Sequence, residues 1–152
     1  MMKTAFGSVI AALAFCVAAR CAEARSLPGY GGKAWVGGDD VCFYDHFGSA
    51  NLQSSCSSAT HYWLLPLQIE NNGANWTPVA YVYAQSDSAS VGCQNWGSSK
   101  DMLSTYTSAW NSPGLFARVS PVTPGPVFVP YDGHLFMWCW IQSGASLNNV
   151  QW

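Results

Sequence analysis

The stretch HLFMWCWIQ, residues 134–142, alternates with a period of two, and both of its faces are apolar. In an extended chain Leu135, Met137, Cys139 and Ile141 fall on one side, and Phe136, Trp138 and Trp140 fall on the other. Such a strand builds a core with one face and has to cover, or use, the other. Placing Cys139 inside gives the aliphatic row to the core and turns three rings outward.

The same period recurs along the chain. HYWLLPLQI sets Trp63, Leu65, Leu67 and Ile69 on one face, with Pro66 marking an edge or a bulge because it lacks a ladder donor. VAYVYA opposes Ala80, Val82 and Ala84 to Val79, Tyr81 and Tyr83, and SVGCQNW carries Val91 and Cys93 inward. DMLSTYTSAW alternates Leu103, Thr105 and Thr107 with Ser104, Tyr106 and Ser108. LFARV and PVFVP complete about seven strands, separated by NSPG, TPGP and YDGH, which supply Pro and Gly where tight turns need fixed or positive φ. ENNGAN, QSDSAS and NWGSSKD read as loops, and helical periodicity is hard to find. The pattern predicts an all-β fold, a single antiparallel β-sandwich of jelly-roll or Ig-like kind.

The first residues are set aside from this reading. MMKT followed by AFGSVIAALAFCVAA has the charged start and the apolar run of a secretory leader, and the run is too short to span a membrane. Ala22 and Ala24 fit cleavage after Ala24; cleavage after Ala19 also fits and would retain Cys21. Arg20 before Cys21 is the wrong residue for lipid attachment. The expected organisation is a leader over 1–24, a mobile Gly-rich arm over 25–40 and one β domain over 41–152. The expected location is extracellular, or periplasmic in a Gram-negative host.

Beyond Ala24 the cysteines are Cys42, Cys56, Cys93 and Cys139, an even set that argues for two disulfides in an oxidising compartment. Three pairings are formally open. Cys42 with Cys56 closes a short Ser-rich stretch, and Cys93 with Cys139 joins two inward strand positions, tying two strands through the core. No CxxC pair occurs and the spacings match no zinc module, so neither a metal nor a cofactor is expected. Seven acidic and four basic side chains follow Ala24. That balance excludes a phosphate-binding surface and does not suit an anionic membrane.

Catalytic signatures are sparse. Neither GxSxG nor HExxH occurs, and Asp45 beside His46 points to the opposite face of a strand. Asp132 and His134 sit in a turn, where the Asp serves its own backbone. Asp39 and Asp40 lack the spacing of a calcium loop. Convergence of Asp39, Asp40, Asp45 and Glu70 would support a small secreted hydrolase, but the expected function is non-catalytic.

Eight tryptophans and seven tyrosines are more than one core of this size hides. Such rings combine rigid apolar surface with a polar handle, which suits stacking against sugar rings. Trp76 and Trp96, in or beside Asn-rich loops, together with Tyr81, Tyr83 and Trp140, are the candidate ligand-binding residues. Trp63, Trp138 and Trp110 are assigned to the core. The arm or the Tyr81–Tyr83 face is expected to cover Phe136, Trp138 and Trp140. The partner class is carbohydrate or another cell-surface polymer; with charged residues at 9%, self-association as a coat component is the alternative. Asn75-Trp76-Thr77 is also an acceptor sequence for N-glycosylation in a eukaryotic host.

The order of Cys56, a WLLPL strand, VAYVYA, VGC and a late DGHLFMWCWI strand resembles small secreted single-domain β-sandwich proteins of myxobacteria and their relatives. The resemblance covers Cys42 to Ile141. It implies an exported all-β domain with a late core disulfide and no catalytic residues, and this chain departs from it in its many more tryptophans.

Overall fold

The computed structural model describes residues 25–56, 60–70, 73–86 and 90–152. The expected leader lies outside them, as do residues 57–59, 71–72 and 87–89, the last two stretches falling in expected loops. The described chain forms β1 (Ser26–Pro28), β2 (Lys33–Ala34), β3 (Phe43–His46), β4 (Ser49–Leu52), β5 (His61–Leu67), β6 (Ala74–Trp76), β7 (Val79–Ala84), β8 (Val91–Ser98), β9 (Thr105–Thr107), β10 (Arg118–Val122), β11 (Val127–Val129), β12 (His134–Ile141) and β13 (Ala145–Gln151). Three short 3₁₀ turns, at Gly29–Gly31, Asp39–Cys42 and Ser54–Cys56, are the only helical elements among the described residues, and none is long and apolar enough to cross a membrane.

Every strand pairing is antiparallel, so the fold is all-β as its periodicity predicts. One sheet has the order β10-β7-β13-β4-β3 with β1 also on β13; a second runs β2-β5-β12-β8-β9; β11 and β6 form a small third. The two large sheets share one buried cluster. Trp63, Leu65, Val91, Cys93, Leu135, Met137, Cys139 and Ile141 come from the second sheet, and Ala50, Leu52, Ala80, Val82, Val122, Leu147 and Val150 come from the first. The aliphatic row of β12 is therefore the core row.

The two disulfides are Cys42–Cys56 and Cys93–Cys139. The first spans 14 residues and joins the two ends of the β3–β4 hairpin, a closure worth about 3 kcal/mol of unfolded-chain entropy. The second does not pass between the sheets. Cys93 and Cys139 are direct cross-strand partners on neighbouring β8 and β12, with Cα atoms 4.1 Å apart. Cys93 exchanges both of its backbone hydrogen bonds with Asn111 on the other side, so it faces Cys139 at a non-hydrogen-bonded position, where antiparallel strands approach most closely.

The glycines of residues 25–40 predict a mobile arm, but the chain there is a strap between the sheets. β1 pairs with β13 and β2 with β5. The Trp63 indole donates to the Gly29 carbonyl at 2.9 Å, Tyr30 stacks on Trp63 at 5.5 Å, and Asp40 accepts from the Ala34 amide at 2.9 Å. Gly29 and Gly32 serve this close passage, where a Cβ would meet the backbone of β13 and β5. The strand count also exceeds the expected seven. β1, β2, β3, β4, β6 and β13 add to it, the expected DMLSTYT strand shrinks to β9, and in place of LFARV the ladder starts at Arg118, leaving Leu115 and Phe116 exposed. At the tip of the β3–β4 hairpin both turn residues, Phe47 and Gly48, have positive φ (53° and 86°), and Phe47 is 97% exposed.

One polar group is central to the packing. Asn95 is fully buried on the core face of β8 and donates to the carbonyls of Pro78 at 3.3 Å and Gly125 at 2.7 Å, holding the small sheet against β8. Gly97 lies beside it, and a Cβ there would sit 2.1 Å from the Phe128 carbonyl oxygen, so β11 crosses at a distance only glycine allows. Asn95→Ala leaves the buried Pro78 carbonyl and the half-buried Gly125 carbonyl without this donor and is expected to lower stability by about 1–3 kcal/mol. Urea unfolding followed by tryptophan emission measures it; a midpoint equal to wild type refutes the role.

Candidate functional site

With the odd positions of β12 inward, its even positions form the outer face of the five-stranded sheet. The register places neighbours there by cross-strand pairing. Phe136 lies between Pro66 and Trp96, Trp138 between Leu64 and Gln94, and Trp140 between Tyr62 and Gly92. Thr107 extends the first row beyond Trp96, and Lys33 extends the second beyond Leu64. Gly92 is what lets Trp140 lie flat: a Cβ there would come within 2.5 Å of the Trp140 indole nitrogen.

Two further indoles roof this floor. Trp35 follows β2 and is anchored by its amide on the Tyr62 carbonyl at 2.9 Å; its ring centroid is 5.4 Å from Trp138 and 5.4 Å from Trp96. Trp110 precedes Asn111, which the paired bonds to Cys93 hold in place, and it lies 5.5 Å from Trp138 and 6.4 Å from Tyr62. Trp138 thus touches Trp35, Tyr62, Trp96 and Trp110 at tilts of 38° to 53°. Trp35 and Trp110 remain 46% and 41% exposed. The result is a ridged aromatic surface rather than a hidden core.

The polar chemistry of this face is sparse and nearly neutral. Outward positions of β2, β5, β8, β9 and β12 carry Lys33, His134, Gln94, Ser98, Thr105 and Thr107, and no carboxylate. Gln94 is buried and donates to the Ser108 carbonyl at 2.7 Å. The indole N–H groups of Trp96 and Trp138 are buried and meet no acceptor among the described residues.

The five residues chosen from sequence do not share one surface. Trp96 and Trp140 belong to the aromatic face, but Trp96 sits within β8, not in a loop. Trp76 lies in β6 and packs half-buried against the core. Tyr81 and Tyr83 lie on the outer face of the other large sheet, opposite Pro121 and Val119 of β10, so they cannot cover Phe136, Trp138 and Trp140. The arm reaches this row through Trp35, which packs on Trp138. Trp138 and Trp110, assigned to the core, are on the outer face; Trp63 is the one that is buried. Trp35, Tyr62, Trp110, Phe136 and Trp138 join the site, and the even-numbered row of HLFMWCWIQ was the signal for two of them.

The candidate chemical groups are placed as follows. Asp39 contacts His61 Nδ1 at 3.0 Å, whose Nε2 faces the Cys56 carbonyl at 3.2 Å. Asp40 holds the Ala34 amide and Asp45 accepts from the Gly48 amide. Glu70 pairs with Arg25 at 2.7 Å, beyond the opposite end of β5 from His61. Each carboxylate is engaged locally, and Asp39 and Glu70 stand at opposite ends of a seven-residue strand. Among the described residues Cys42, Cys56 and His61 gather within 4.8 Å, but the two sulfurs are bonded to each other.

Tilted indoles in contact couple their electronic transitions, so the cluster is expected to give an exciton couplet in far-ultraviolet circular dichroism. Trp138→Phe should diminish it sharply, because Trp138 touches three of the other indoles, while Trp76→Phe should leave it unchanged. Equal spectra for the two variants would contradict the arrangement. Comparison with protein families, with curated proteins and with solved structures returns no match to this chain.

Proposed function

We propose that this chain is an exported, non-catalytic β-sandwich protein that binds carbohydrate, or a related cell-surface polymer, on the aromatic face centred on Trp138. The observation that carries the reading is the pair of half-exposed indoles, Trp35 and Trp110, packed against Trp138 on the outer face of the sheet. A sugar ring offers C–H faces to stack on Trp35 and Trp110, and its hydroxyls suit the polar side chains at the rim, Lys33, Thr105 and Thr107. The near-neutral rim favours an uncharged, oxygen-rich ligand over a phosphate-bearing one. Large contiguous apolar surfaces on small proteins commonly mark a binding site. Two disulfides in a chain of this size, together with the leader-like MMKTAFGSVIAALAF, support export.

Retention on insoluble cellulose, chitin, xylan and β-1,3-glucan, followed by a glycan array, tests the reading. Wild type should be retained on at least one of them. Trp35→Ala/Trp110→Ala should weaken that binding about 30-fold, taking about 1 kcal/mol per stacked ring. Tyr81→Ala/Tyr83→Ala, on the other sheet, should bind as wild type. Equal loss in both double variants, or no retention of wild type on any glycan, would sink it.

A further inference from the structure

The aromatic face does not stop at Phe136. Phe136, Pro66 and His134, all on the outward side of the five-stranded sheet, also form one wall of a cleft of about 1030 Å³. Its far wall is the strap and the end of β13, where Arg25, Leu27 and Trp152 line it. The volume is at the top of the range usual for small-molecule sites, about 300–1,000 Å³.

We infer that this cleft is a second sugar subsite continuous with the aromatic face, so that the occupant is a linear chain of several neutral pyranose rings rather than a single sugar. The inference rests on the carbohydrate reading of that face. Three observations carry it. The first is length: outward positions of β12 run from Trp140 to His134, about 20 Å at roughly 3.4 Å per residue, and the cleft begins where that row ends. No single ring covers such a track.

The second is chemistry. The cleft sets aromatic walls, Phe136 and Trp152, against planar polar groups, Arg25, Gln68 and His134, which is the combination that grips a ring by its C–H face and its hydroxyls. Arg25 is held in orientation, its Nη1 donating to the Gln68 carbonyl at 3.0 Å and its Nη2 to Glu70 at 2.7 Å. These bonds use two of the five guanidinium N–H groups, leaving donors for a ligand. The third is charge: Glu70 offsets Arg25, so the cleft is formally neutral and suits an uncharged chain over an acidic one. Trp152 is fixed as well, donating from its indole to the Gln68 carbonyl at 2.8 Å.

The test uses soluble oligosaccharides of one to six rings from four series, β-1,4-glucose, β-1,4-N-acetylglucosamine, β-1,4-xylose and β-1,3-glucose, titrated calorimetrically. Wild-type affinity in at least one series should rise at least tenfold between two rings and six. His134→Ala/Trp152→Ala should bind two rings as wild type does and lose most of the gain with length. Ser26→Trp fills the cleft from exposed β1 without removing a hydrogen bond and should give the same flattening, which guards against misfolding of the first variant. A length dependence unchanged in Ser26→Trp, or no measurable binding in any series, overturns the inference. If wild type is still retained on an insoluble polymer in those cases, the reading of the aromatic face survives; if it is not, both fall.

Discussion

The register between β8 and β12 is the constraint on which the rest depends. Because side chains alternate, a slip of one residue in either strand would exchange Leu135, Met137 and Ile141 for Phe136, Trp138 and Trp140 across the sheet. In most strands one polar face forbids that slip. Here both faces are apolar, so hydrophobic patterning alone discriminates weakly, and the buried bond between Cys93 and Cys139 supplies the missing specification. The same residue has a second effect. Since Cys93 faces Cys139 at a non-hydrogen-bonded position, its amide and carbonyl are free to hold Asn111, and that bridge sets Trp110 over the outer face.

The strap over residues 25–40 couples the two large sheets to the candidate site in a similar way. β1 extends one sheet through β13 and β2 extends the other through β5, and Trp35 emerges directly after β2. The Ala34 amide bonded to Asp40 and the Trp35 amide bonded to Tyr62 fix the backbone on both sides of that emergence. Both roofing indoles are therefore held by main-chain bonds to the sheet beneath.

How much of this was legible in the sequence follows from the same physics. β7 and β12 keep strict alternation, and β5 and β8 enough of it to mark inward residues, so these strands and the inward Cys93 and Cys139 are legible, while the Cys42–Cys56 pair follows from its short Ser-rich interval. β13 could not, although it lies between β7 and β4: its register shifts between Leu147 and Asn149, so its inward Leu147 and Val150 stand three apart and break the period. β3 shows only Phe43 inward and gives no pattern at all. In the candidate site, Trp140 is legible from the alternation of its strand and Trp96 is named for its neighbouring Asn-rich loop although it stands within β8, but Trp35 and Trp110 lie outside any strand. Their positions are tertiary, set by partners 27 and 18 residues away, and no local signal carries that. Trp76 was misplaced because a three-residue strand between Gly73 and Pro78 looks like a loop.

The Cys42–Cys56 bond closes the base of the β3–β4 hairpin, and Phe47 stands at the apex. The hairpin is thus a covalent ring, with β4 inserted between β13 and the edge strand β3. A protease that cuts anywhere between the two cysteines opens the ring without liberating a fragment. Such a nick would pass unseen in an oxidised sample and become visible only under reducing electrophoresis. The most exposed large hydrophobic side chain among the described residues can therefore be offered to solvent at the hairpin tip without making that tip a point at which the protein comes apart.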